Sequence, residues 1–168
     1  MTDADFEAHR LTVRLGALAD NYRAFRRLAG PAAVAGVVKA DGYGLGADFI
    51  APTLAGAGCD TFFVARLEEG IALRRAMGAA PRIFVLDGAP ADAVPALIAH
   101  RLTPVLNSLG DIAGWNAGAS AARLRLDAAI HIDTGMNRLG LSGEELSLLA
   151  TEWKARLKNI NLALWMSH

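Results

Sequence analysis

The chain has a single cysteine, Cys59, among 168 residues. One thiol excludes an internal disulfide framework, and the expected setting is a buried structural thiol in a reducing cytoplasm. Neither sign of charge is in excess, since 17 lysines and arginines stand against 17 aspartates and glutamates. That balance offers no electrostatic footprint for nucleic acid or for an anionic membrane. No uncharged run approaches the roughly 18 residues of a membrane-spanning helix. The opening Met1-Thr2-Asp3-Ala4-Asp5 is acidic and polar, unlike a secretory signal. Four histidines and Cys59 show no metal-ligand spacing, so no zinc site is expected, and His9 and His100 read as surface residues.

What the chain does have is apolar residues, 53% of the total, in a regular alternation. Leu15, Leu18, Tyr22, Phe25 and Leu28 recur at helical spacing opposite Arg23, Arg26 and Arg27, and Gly30-Pro31 stops that helix. Residues 34–39 then read as a strand buried on both faces. Strands follow at 61–65, 82–86, 104–106, 126–132 and 161–167, with helices near 67–77, 91–99 and 109–115. A last helix carries Leu146, Leu149, Trp153 and Leu157 and opens on Ser142-Gly143-Glu144-Glu145, a capping box. The short run Leu11–Arg14 is compatible with a further strand, setting residues 1–14 apart as an N-terminal segment. Six strands separated mostly by helices indicate parallel β/α units. An open doubly wound sheet and a (β/α)₈ barrel both place polar residues at strand carboxyl ends. Lys39, Arg66, Asp87, Asn107, Asp133 and His168 therefore do not choose between them.

The run Val37-Val38-Lys39-Ala40-Asp41-Gly42-Tyr43-Gly44-Leu45-Gly46 carries the most chemistry. An apolar strand ends in a lysine and breaks into a loop with glycine at every second position. Held in a pocket at a sheet mouth, such a lysine loses hydration, its pKa falls and its amine becomes a nucleophile. Gly42, Gly44 and Gly46 permit torsions closed to other residues and let main-chain amides approach a phosphate. Asp41 is suited to bracing that loop through backbone amides. A dinucleotide fingerprint is a poor fit, because the next strand leads to Arg66 where an acidic residue is wanted.

This block resembles the pyridoxal-phosphate lysine motif of alanine racemases. His131-Ile132-Asp133-Thr134-Gly135-Met136-Asn137-Arg138-Leu139-Gly140 is similar to the family's second signature, and Met166-Ser167-His168 to a third. The resemblance implies a (β/α)₈ barrel followed by a mostly β domain. Residues 15–168 would supply about six of the eight barrel strands, with the β domain absent. It implies a pyridoxal-phosphate-dependent enzyme interconverting L- and D-alanine for peptidoglycan, cytoplasmic and homodimeric. Lys39 would bond the cofactor and move the substrate α-proton on one face. Tyr43 would meet the cofactor phosphate, Arg138 the cofactor and the substrate carboxylate, and His168 an arginine lying against the cofactor ring. The acid/base for the opposite face is a tyrosine from the partner subunit's second domain in such enzymes. The chain then reads as an N-terminal portion that is inactive alone.

His131 departs from the pattern. Many members carry a lysine there, often carbamylated, whose negative charge orients the arginine. A neutral imidazole can still accept a hydrogen bond from Arg138, which makes His131 a supporting residue; a bound anion such as chloride, or another acidic residue, is another way to hold that arginine. Two other functions remain open on the sequence. One is a racemase for other amino acids, and the other a non-catalytic pyridoxal-phosphate-binding barrel.

Overall fold

The computed structural model describes residues 11–168. In chain order the elements are α1 (Leu15–Ala29), β1 (Gly36–Val37), α2 (Lys39–Gly44), α3 (Ala47–Gly56), β2 (Thr61–Val64), α4 (Leu67–Met77) and β3 (Arg82–Val85). They continue with α5 (Val94–Ala99), β4 (Thr103–Leu106), α6 (Leu109–Ala122), β5 (Leu126–His131), α7 (Gly143–Arg156) and β6 (Ile160–Met166). Most follow from local pattern. The capping box of α7 forms as its sequence requires, with Ser142 Oγ accepting from the Glu145 amide and the Glu145 carboxylate accepting from the Ser142 amide.

All six strands are parallel, and they pair in the order in which they are made, β1-β2-β3-β4-β5-β6. A doubly wound sheet needs a point where strand order reverses. There is none here. Sequential order with helices along one face is an arc of a (β/α)₈ barrel, and the sheet is an incomplete one.

The two faces of that arc pack differently. Phe62, Val64, Ile83, Val85, Ala128 and Ile130 are buried against the helices in the main core, together with Leu73, Leu97, Ile112, Trp115 and Leu149. The alternate positions Phe84, Val105 and Ala129 form a second, smaller cluster with Phe63, Leu86 and Met166. Phe63 and Phe84 stack there at 4.7 Å between ring centroids. This second cluster is the barrel interior, and the period-two alternation of the strands separates it from the first. At the far edge a groove of about 840 Å³ lies between α7 and β6, lined by Leu146, Leu149, Trp153, Leu157, Leu162 and Trp165 among others.

Three local readings of the sequence are corrected. The strand expected over 34–39 is confined to Gly36–Val37, because the chain turns sharply at Lys39; only the Val38 amide extends the pairing, to the Phe63 carbonyl. Helix α3, with Pro52 inside it, lies in a stretch where the sequence pattern suggested none. Gly46 ahead of it and the proline obscured an apolar face made by Ile50, Ala51 and Leu54. Leu11–Arg14 runs as irregular, exposed chain with no ladder partner, so no strand forms among these described residues. His9 lies outside the described residues, and His100 is half-buried at the end of α5. Cys59 is a free, buried thiol donating to the Thr61 carbonyl. Among the described residues no helix is long and apolar enough to cross a membrane.

Candidate active site

The carboxyl ends of the strands meet at one pocket of about 160 Å³, lined by Lys39, Ala65, Leu86, Asp87, His131, Arg138, Leu139, Met166 and His168. Lys39, Arg138, His131 and His168 come from three separate stretches of sequence and converge here. Tyr43 stands apart. It is 62% exposed and does not line the pocket.

Lys39 is half-buried and begins an unusual turn. Ala40, Asp41, Gly42 and Tyr43 all have φ between 51° and 61°, a left-handed turn that includes three residues bearing Cβ atoms. Each such residue costs about 1–2 kcal/mol relative to the right-handed form. Internal hydrogen bonds hold it. The Gly42 amide donates to the Val38 carbonyl at 2.9 Å and the Gly46 amide to the Asp41 carbonyl at 2.9 Å. The Asp41 carboxylate accepts from the Ala47 amide at 2.7 Å and so braces the start of α3. Asp41 thus plays the bracing part its position suggested. The glycine loop, however, uses the Gly42 and Gly46 amides on its own turn, so these two are not free to approach a phosphate.

Arg138 is exposed at the end of a loop tied down by Asp133. One Asp133 oxygen accepts from the Gly135 amide at 2.9 Å and the Asn137 amide at 3.0 Å. The Asn137 amide first, then that of Gly135, hold the Asp133 carboxyl below its ordinary range. Behind the loop, Gly140 has φ of +106°, and a Cβ there would stand 2.7 Å from the Asp133 nitrogen. Only glycine lets the loop close against β5.

His131, the last residue of β5, is buried at 7% exposure. Its Nδ1 lies 2.9 Å from Asn107 Oδ1. The Asn107 amide group donates to the carbonyls of Leu86 at 2.9 Å and Val105 at 3.0 Å. Two carbonyl acceptors on Nδ2 leave Oδ1 as the atom facing His131, so His131 Nδ1 carries the proton and donates. In the neutral ring Nε2 is then the acceptor. Burial pushes the His131 pKa below its ordinary value, the neighbouring His168 adds to this, Asp133 opposes it, and the Arg138 guanidinium again lowers it. Asn107 was visible in the sequence only as one more polar residue at a strand end; its pairing with His131 links β4 to β5 and has no local signal.

The donor set suits a polyanion bearing a carbonyl group. A primary amine and a guanidinium share the pocket with two imidazoles and one carboxylate, Asp87, and among the described residues neither Lys39 nor Arg138 forms an ion pair. Pyridoxal phosphate meets that description: the amine of Lys39 would hold it covalently, with Arg138 and His168 beside it.

Comparison with known proteins agrees. The family model described as alanine racemase, N-terminal domain, matches residues 13–168. The chain belongs to the alanine racemase family. It is 49% identical over 158 residues to the catabolic alanine racemase of Agrobacterium fabrum, a match covering 94% of this chain and 40% of that protein. Identity to an alanine racemase of Methylobacterium sp. is 45% over all 168 residues, or 45% of the relative's length. The fold superposes on alanine racemase from Bartonella henselae with covalently bound pyridoxal phosphate, with a TM-score of 0.88 and 35% identity. That match covers 93% of this chain and 45% of the Bartonella protein. The chain therefore spans less than half the length of these alanine racemases. Histidine racemase from Leuconostoc mesenteroides, 22% identical with a TM-score of 0.81, shares the fold.

Proposed function

We propose that this chain is the cofactor-bearing barrel portion of a pyridoxal-phosphate-dependent racemase that interconverts L- and D-alanine. The observation that carries this reading is the convergence of Lys39, His131, Arg138 and His168 on one pocket at the strand ends. When bound, pyridoxal phosphate supplies the electron sink that makes an amino-acid α-proton removable. Lys39 would hold the cofactor, and its amine would take or return the α-proton on one face. Arg138 receives the substrate carboxylate through its fork of donors. His131 lines the same pocket as that arginine, and its neutral Nε2 is assigned the part of acceptor that orients it. His168 belongs to the cofactor's ring side, and Tyr43 is assigned to the phosphate by its place in the lysine motif. Racemisation needs a second acid/base on the opposite face. Of the chain's two tyrosines, Tyr22 donates to the Val34 carbonyl behind the sheet and Tyr43 follows the cofactor lysine. The second group is assigned to the partner subunit of a homodimer. The whole enzyme is read as cytoplasmic, supplying D-alanine for peptidoglycan.

One observation favours a second reading, a racemase of other amino acids. His131 lies where many family members carry a lysine, so the setting of the carboxylate-binding arginine is altered. Racemisation of a panel of amino acids by the whole enzyme, with borohydride trapping and peptide mass analysis at Lys39, tests both. Cofactor trapped at Lys39 with alanine as best substrate supports the first reading. Trapping elsewhere overturns it.

A further inference from the structure

Lys39 is followed by a turn that most residues avoid, and one side chain from another β/α unit holds its first peptide. Glu69 lies in the first turn of α4. Its Oε1 accepts from the Ala40 amide at 2.7 Å. Its Oε2 accepts from the Ala65 amide at 2.7 Å and the Arg66 amide at 3.1 Å. One carboxylate thus joins the end of β2, the start of α4 and the peptide unit directly after Lys39. That peptide plane is set by the ψ angle of Lys39, so its anchorage decides where the lysine's own Cα–Cβ bond is aimed.

We propose that Glu69 is a positioning residue for Lys39, required as a carboxylate. The inference rests on the reading of Lys39 as the cofactor lysine. Three N–H donors converge on two oxygens, and each oxygen must accept. Glutamine offers one oxygen and one NH₂ group, so an amide would face a donor at Ala40 or at Ala65 and Arg66. Aspartate is one methylene shorter and cannot span the two strands' amides together. A helix cap alone does not need this reach, since the cap is completed by Ala65, Arg66 and the helix's own backbone. The bond to Ala40, 29 residues away in sequence, is the part that acts on the site.

The test uses the whole enzyme and three forms: unsubstituted, Glu69→Gln and Arg74→Met. Arg74 lies on the same helix near its other end, where it donates to the carbonyls of Gly78, Pro81, His100 and Arg101. Its loss weakens α4 without touching Lys39. The readouts are hydrogen exchange at the Ala40 amide, the rate of borohydride-reducible attachment of added pyridoxal phosphate to the apo protein, and kcat against KM for alanine. Glu69→Gln is expected to speed Ala40 exchange and to slow both attachment and kcat about ten-fold or more, with KM little changed. Arg74→Met is expected to lower the melting temperature and leave those three readouts near the unsubstituted values. Label on Lys39 in the unsubstituted enzyme, with Glu69→Gln indistinguishable from Arg74→Met, overturns the role of Glu69 alone. Absence of label on Lys39 in the unsubstituted enzyme overturns the cofactor reading and this role with it.

Discussion

Asn107 fixes the tautomer of His131. Both amide hydrogens of Asn107 are committed to the carbonyls of Leu86 and Val105, and its oxygen stands 2.9 Å from His131 Nδ1. The ring can therefore present only Nε2 as an acceptor, and only while it is neutral. A residue on β5 thereby takes its chemical identity from a residue at the end of β4.

The pH dependence follows from that arrangement. The folded protein keeps His131 neutral at pH values where the unfolded chain protonates it, since its folded pKa is lowered. Its contribution to stability is complete above about 6.5 and is lost as pH falls towards the depressed folded value. Activity of the whole enzyme should fall over the same acid window as Nε2 gains a proton and can no longer serve as an acceptor for Arg138. His168, Asp87, Lys39 and Arg138 share this pocket and the Asp133 charge also acts on the ring, so the diagnostic is the difference between the unsubstituted enzyme and His131→Gln. An unchanged activity–pH profile in His131→Gln would show that the ring only packs. His131→Lys, followed by mass spectrometry for carbamylation, tests whether the arrangement common in the family can be restored.

Lys39→Ala should remove the yellow absorbance of the lysine-bound cofactor and lower turnover of the whole enzyme by a factor on the order of 10³ or more. Borohydride-trapped cofactor persisting on the substituted protein would contradict the assignment.

Gly140→Ala should destabilise the protein by about 2 kcal/mol or more, combining a disfavoured backbone angle with a backbone clash. The new methyl would stand 2.7 Å from the Asp133 nitrogen and 3.2 Å from the His131 ring. Thermal melting measures the first effect. A raised KM for alanine measures the second, because the loop displaced is the one that presents Arg138.

The chain of residues 1–168, expressed by itself, should associate and show no racemisation. β1 and β6 are the edge strands of the sheet, and Val37, Trp153 and Trp165 are each about half exposed beside them. Unpaired edges next to apolar surface drive self-association. A monodisperse monomer by light scattering, with measurable alanine turnover, would contradict both expectations.

Much of this was legible in the sequence. Short, mainly apolar runs without a regular polar face announce a parallel sheet, and polar residues at their ends mark the mouth. Lys39 was readable from its place between an apolar run and a glycine loop, whereas His131, Arg138 and His168 were singled out by the family signatures they sit in. What local pattern does not carry is pairing across units. Glu69 follows Arg66-Leu67-Glu68, a helix start without serine or threonine, so nothing nearby marks its carboxylate as the partner of Ala40. Asn107 is a polar residue before Ser108 like many others until β5 lies beside it. The left-handed turn at 40–43 was foreshadowed by Gly42, yet Ala40, Asp41 and Tyr43 give no sign that they share its torsions. Tertiary contacts impose that conformation against local preference.

The sequential order of the strands also bears on how the molecule is made. Gly36 pairs with Phe62, Thr61 with Arg82, Val105 with Ala129 and Leu126 with Ile160, so each strand finds its neighbour in the unit synthesised just before it. No segment has to wait for a distant stretch of chain, and the entropy of closing each loop stays modest. The sheet can therefore grow during translation from its amino-terminal edge, one β/α unit at a time. On that route the pocket is completed in a definite sequence. Lys39 is in place first, the Glu69 carboxylate reaches it with the second unit, and the Asn107–His131 pair forms only when the fifth strand docks.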